Sequence, residues 1–131
     1  GSSWGDTPWE EAYRLPGSGH VALGKRLLER YAWWRFQPHQ EWVTPSARTG
    51  DYVQPYCAGI PGEVRVTFIP TPRRSVAVRQ LESEVVYRAF YFNPCNGREY
   101  ALGTAKPDER GDWEAPKPPI FQDWILVTER V

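Results

Sequence analysis

After Pro38 the apolar pattern of this chain changes period, and that change constrains its fold more than any other feature. Before it, Leu23, Leu27, Tyr31 and Trp34 recur at i, i+4, i+8 and i+11, which places them on one face of a helix from about His20 to about Phe36. Ser18 or Gly19 can cap its start and Pro38 stops it. After it, Val64, Val66 and Phe68 alternate with Arg65 and Thr67, the pattern of a strand with unlike faces. Further short strands are expected at Trp42–Val43, Tyr52–Ala58, Ser75–Val78, Val85–Phe92, Glu99–Gly103, Trp113–Ala115 and Trp124–Thr128. Between them stand Ile60-Pro61-Gly62, Asn93-Pro94-Cys95-Asn96-Gly97 and Asp108-Glu109-Arg110-Gly111, which supply the fixed φ of proline and the left-handed glycine positions that reversals need. Asn96-Gly97 is the clearest hairpin signal. With no second helix long enough for a parallel crossover, the expectation is a mainly β fold: an antiparallel β-sandwich preceded by an irregular segment and one amphipathic α-helix. Residues 1–38 form the irregular segment and helix, and residues 39–131 the sandwich.

At 131 residues the chain can bury a core without help from metals or several disulfides. Two cysteines, Cys57 and Cys95, force neither a disulfide nor its absence. Sixteen basic and sixteen acidic residues are interspersed, so no basic stripe exists for nucleic acid or an anionic membrane surface. No apolar run approaches the roughly 20 residues that span a bilayer, and a soluble chain is expected. Gly1-Ser2-Ser3 in a chain without methionine reads as a cloning remnant or the start of an excised fragment, which hides the native compartment.

Chemistry-bearing constellations are sparse. Glycoside hydrolysis needs two carboxyls facing each other at about 5–9 Å. Glu10 and Glu11 are adjacent and point apart if extended, while Asp108, Glu109 and Asp112 belong to a turn, so solvated carboxylates are the plainer reading. His20 and His39 stand at the two ends of the helix without neighbours at zinc-ligand spacing, and no metal or cofactor is implied. Neither cysteine has the setting of a nucleophile. Ser18 between Gly17 and Gly19 lacks the lysine and preceding strand of a phosphate loop. What stands out is the aromatic share of 15%, with seven Trp and seven Tyr. A flat Trp or Tyr face can stack on the C–H patch of a sugar ring. Trp33, Trp34, Trp42 and Trp124 adjoin apolar residues and are expected to seal helix against sheets; Trp113 and Tyr100 flank an exposed turn and are the candidate carbohydrate contacts.

An ordered series of motifs carries a resemblance: Trp33-Trp34-Arg35-Phe36 with Pro38-His39, then Tyr56-Cys57-Ala58-Gly59-Ile60-Pro61-Gly62, then Tyr91-Phe92-Asn93-Pro94 with Gly97, then Phe121-Gln122-Asp123-Trp124-Ile125-Leu126-Val127. Over about residues 8–131 the chain resembles the C-terminal β-sandwich of apiosidase-like glycoside hydrolases, a family also called the collagen-binding domain of a collagenase. Pro8-Trp9-Glu10-Glu11-Ala12, Leu15-Pro16-Gly17 and the following helix are similar to the stretch that ends the catalytic barrel of such proteins. The resemblance implies a chain with no catalytic residues and no turnover of its own, the accessory part of a hydrolase whose (β/α) barrel lies in the same polypeptide or in a separate subunit. It places Trp4, Trp9 and Glu10 near a sugar cleft if that barrel is present. A free-standing module for plant or microbial polysaccharide is the alternative, and a collagen or protein adhesin rests on the family's older name alone.

Overall fold

A computed structural model describes residues 18–46, 54–70 and 75–131, with side chains from Leu23 onward. Among these residues a helix, α1 (Ser18–Leu28), is followed by nine strands: β1 (Gln37–Pro38), β2 (Val43–Thr44), β3 (Tyr56–Ile60), β4 (Val64–Ile69), β5 (Ala77–Val78), β6 (Tyr87–Phe92), β7 (Glu99–Thr104), β8 (Trp113–Glu114) and β9 (Trp124–Arg130). Six of them form a sheet in the order β1-β3-β4-β9-β6-β7, and three form a small sheet in the order β2-β5-β8. Every pairing is antiparallel. The chain is therefore mainly β, with two antiparallel sheets and one short helix among the described residues.

The large sheet has an apolar cluster against each face, which explains how its strands read. Toward the small sheet, Cys57, Ile69, Tyr87, Ala89, Tyr91, Trp124 and Leu126 join Trp42, Val43, Val76 and Val78 in one apolar cluster. Toward α1, Ile60, Val64, Phe90, Phe92 and Val127 pack around Leu27, with Leu23, Tyr31 and Phe36 at the margin. The result is three layers, helix on sheet on sheet. Strand β9 lies at the centre, paired along its whole length with β4 and β6, and its Trp124, Leu126 and Val127 are wholly buried.

The turn residues do what their chemistry requires. Gly62, Gly97 and Gly111 take positive φ at the three reversals, a region that costs a Cβ-bearing residue about 1 kcal/mol or more. In the β6–β7 turn the Gly97 amide donates to the Asn93 carbonyl and the Cys95 amide to the Asn93 side chain. Gly103, also at positive φ, coincides with a register shift between β6 and β7 opposite Ala89 and Phe90.

The helix is shorter than its apolar spacing predicts. It ends at Leu28 because the hydrogen bonds tighten: Glu29 still bonds four residues back, but Arg30 and Tyr31 bond only three back, to Leu27 and Leu28. The tighter path lets the Tyr31 hydroxyl donate to Glu129 at 2.6 Å and turns Phe36 onto the sheet. A 3-10 turn, Trp33–Arg35, then leads into β1, which the sequence hides because two residues ending in proline carry no strand pattern. No described helix is long and apolar enough to cross a membrane.

Candidate functional site

Arg65 is the residue that sequence alternation misplaces. On an amphipathic strand it belongs on the wet face, yet it and Thr67 point between the two sheets and are fully buried. The guanidinium lies 4.1 Å from the Trp42 ring centroid, and His39 stacks on the same indole at 3.7 Å. It donates to the Arg79 and Gln80 carbonyls and to the Glu82 carboxylate, while the Tyr87 hydroxyl and the Gly62 amide also donate to Glu82. Partial burial pushes the Glu82 pKa up, but the hydrogen bonds from Tyr87 and Arg65, the Arg65 charge and the Gly62 amide outweigh it and hold the carboxyl below its ordinary value. Burial and the Glu82 carboxylate push the Tyr87 hydroxyl up to about 12. The arrangement ties β4 to the loop after β5.

A groove of about 530 Å³ opens where the two sheets part, walled by Ile69, Val76, Tyr91, Pro116, Pro118 and Phe121. Its volume is within the range of small-molecule sites. One wall is stiff, because Pro116, Pro118 and Pro119 fix the backbone φ. It is also tied down: the Tyr91 hydroxyl donates to the Pro116 carbonyl, and Trp124 Nε1 donates to the Ile120 carbonyl at 2.9 Å. Burial raises the Tyr91 pKa to about 12, which keeps that hydroxyl a donor. Ser75 and Lys117 supply polar atoms, and among the described residues that line the groove there is no Asp or Glu. The walls suit the apolar face of a ring and contain no acid–base pair.

Several of the described carboxylates elsewhere are held by neighbours. Glu99 accepts two bonds from Arg30, Glu129 accepts from Arg88 and Tyr31, and Glu63 faces Arg35. Glu41 lies 2.7 Å from His39 Nδ1, and Asp112 3.7 Å from Arg79. Asp108 accepts the amides of Asp112 and Arg110, which lower its pKa. No group of three or more His, Cys, Asp or Glu among the described residues could hold a metal ion. Cys57 and Cys95 are both free thiols; Cys57 is buried, its pKa pushed up to about 11 by burial, and Cys95 is exposed.

The tryptophans divide differently from the sequence expectation. Trp42 and Trp124 are core residues, but Trp33 and Trp34 do not seal the helix against the sheet: they are 53% and 71% exposed. Their rings meet edge to face, 6.1 Å apart at 82°. The tighter backbone after Leu28 takes Trp34 off the stripe that a continuous helix would have put against the sheet, and Trp33 faces outward beside it. Trp113 and Tyr100, the candidate carbohydrate contacts, are half-buried at the margin of the core between the sheets. Tyr100 meets Trp124 edge-on at 5.6 Å, and Arg98 lies 5.7 Å from its ring centroid. Trp4, Trp9 and Glu10 lie outside the described residues.

No family model matches the chain, and no match was found among curated proteins. Solved structures do resemble it. A chain described as a glycoside hydrolase superposes with a TM-score of 0.70 at 16% identity over 94% of this chain. A family 5 glycoside hydrolase from Bacteroides vulgatus ATCC 8482 superposes with a TM-score of 0.68 at 12% identity over 95%. This chain spans about a quarter of their length, 27% and 26% respectively. Its fold is thus that of a minor part of larger glycoside hydrolase chains.

Proposed function

We propose that this chain is a non-catalytic accessory domain of a glycoside-hydrolase-like protein, of the kind that resembles the C-terminal sandwich of apiosidase-like enzymes, and that it packs against a catalytic barrel in the same polypeptide or in a partner subunit. The observation that carries the reading is the lopsided match: nearly all of this chain superposes on about a quarter of each hydrolase. The held carboxylates and the acid-free groove support it. The test is turnover by the isolated chain on a panel of aryl glycosides and plant polysaccharides. No release of reducing sugar is expected, and release abolished by replacing one carboxylate of this chain refutes the reading.

A second reading, a free-standing carbohydrate-binding module, draws on the groove and its exposed rim residue Phe121. Trp113 and Tyr100 are its other proposed contacts. Titration with xylan, mannan and arabinogalactan separates the readings. Binding that weakens in Phe121→Ala assigns the groove, whereas binding that weakens in Trp113→Ala and Tyr100→Ala assigns the margin of the sandwich.

A further inference from the structure

We propose that the helix-bearing face of the large sheet is the surface on which this domain seats the catalytic domain of its glycoside hydrolase, with Trp33 and Trp34 as the anchoring side chains. This rests on the accessory-domain reading and adds to it the face and the residues that meet the partner.

The two outer faces of the molecule differ in kind. On the small sheet, the row Thr44, Ala77 and Glu114 is set in register by β2, β5 and β8, and it alternates with the core row Val43, Val78 and Trp113. That outer row is small or polar. On the other side, Tyr56 and Phe68 stand opposite each other on β3 and β4, on the same sheet face as Ile60 and Val64. They are 44% and 41% exposed. Trp33 and Trp34 belong to the same layer, because Tyr31, Ala32 and Phe36 on either side of them pack into the cluster beneath α1. Four of the five large exposed aromatics among the described residues therefore lie on the helix side, Phe121 at the groove being the fifth, and this is the composition that interface centres favour.

The two indoles are held in place. Their turn is fixed on one side by the Tyr31–Glu129 hydrogen bond and on the other by Arg35 against Glu63 at 3.2 Å. Side chains displayed on an anchored backbone lose less freedom on docking than those of a loose loop. Four ion pairs lie around them: Lys25 with Glu29, Arg30 with Glu99, Arg35 with Glu63 and Arg88 with Glu129. A layer on which most charges are paired suits a largely apolar protein surface better than a strongly anionic partner.

The ring geometry favours protein over polysaccharide. At 82° to each other, only one of the two indoles can lie parallel to a given pyranose plane, so they form a notch instead of a platform. A notch grips a projecting side chain. The position of the partner follows from connectivity. Residues before Ser18 join the described fold at the start of α1, on this layer, so a domain preceding them in a longer polypeptide is tethered on this side. In the similar hydrolases most of the chain lies outside the part that this domain matches.

The test compares hydroxyl-radical oxidation, read by mass spectrometry, in the 131-residue chain and in the native gene product purified with any co-purifying subunit. If neither contains a (β/α) barrel, the accessory-domain reading falls, and this proposal with it. With a barrel present, oxidation of Trp33 and Trp34 is expected to drop by about fivefold or more, as for residues enclosed by an interface, with Ile120 and Phe121 unchanged. Equal oxidation in both samples overturns the proposal while leaving the accessory reading intact on another face. The double variant Trp33→Ala/Trp34→Ala in the native protein is expected to split one melting transition into two, while the Tm of the 131-residue chain carrying the same changes stays put. Xylan, mannan or arabinogalactan binding by the 131-residue chain that this double variant abolishes makes the occupant a glycan and overturns the proposal. A concentration-dependent dimer abolished by the same variant makes the occupant a second copy and overturns the proposal equally.

Discussion

Replacing Glu82 by Ala should be among the most damaging single changes in this domain, although Glu82 itself is partly exposed. The cause is what it leaves behind. Arg65 is fully buried, its Nε already has no hydrogen-bond partner, and Glu82 is the carboxylate that faces its charge. Without Glu82 the guanidinium keeps the carbonyls of Arg79 and Gln80 and the rings of Trp42 and Tyr87, which are dipoles and quadrupoles but no countercharge. Removing one partner of a buried pair costs about 3–5 kcal/mol, a large part of the ~5–15 kcal/mol that holds a domain folded. With an unfolding entropy of about 2.1 cal/mol/K per residue, ~4 kcal/mol lowers the Tm by roughly 14 °C in a chain of 131 residues. Urea titration followed by tryptophan fluorescence measures the loss, since the Arg65 guanidinium lies over the Trp42 ring. The double variant Arg65→Met/Glu82→Leu should recover most of it, because a buried ion pair replaced by packed apolar groups is often neutral. A loss under about 1 kcal/mol for Glu82→Ala, or a double variant no better than the single, would refute the reasoning.

Acidification tests the same pair. The Glu82 carboxyl titrates lower when folded than when unfolded, so its contribution is fully present above the unfolded carboxylate range and is lost as pH falls through the lowered folded value; the Glu82→Gln variant should show a flatter decline in Tm over that acid range. Gly59→Ala should be destabilising by ~3 kcal/mol in urea titration, because an added Cβ would fall 2.9 Å from the Arg65 Cα and closer still to the Val64 carbonyl. Leu27→Ala should cost about 2–5 kcal/mol by the same measurement, since among the described side chains of α1 Leu27 is fully buried against the sheet. Of the two thiols, Cys95 should react with a thiol reagent in the native state and Cys57 only on unfolding; equal rates would contradict the buried position of Cys57.

The strands other than β1, and their reversals, were legible in the sequence because they are local. Period-two alternation marks β4, and proline, asparagine and glycine at fixed offsets mark the three turns whose glycines the structure holds at positive φ. Two antiparallel sheets and one helix follow from the same signals. Alternation reports only that two faces differ, however, and it does not say that the second face is dry. A third layer decides that. Because α1 covers one side of the large sheet and the small sheet the other, Arg65 and Thr67 are inside, and the apolar row of Val64, Val66 and Phe68 runs from buried to exposed as it leaves the shadow of the helix.

The end of α1 was decided in the same way. Apolar spacing continues past Leu28, but contacts distant in sequence, Tyr31 with Glu129 and Phe36 with the sheet, draw the backbone into tighter turns and leave Trp33 and Trp34 facing outward. The sequence by itself determined the strands other than β1, the turns and the class of fold, since each rests on residues within a few positions of one another. Only the tertiary structure decided which side chains are covered, because burial depends on partners tens of residues away, and that choice produced both the enclosed ion pair and the exposed aromatic face.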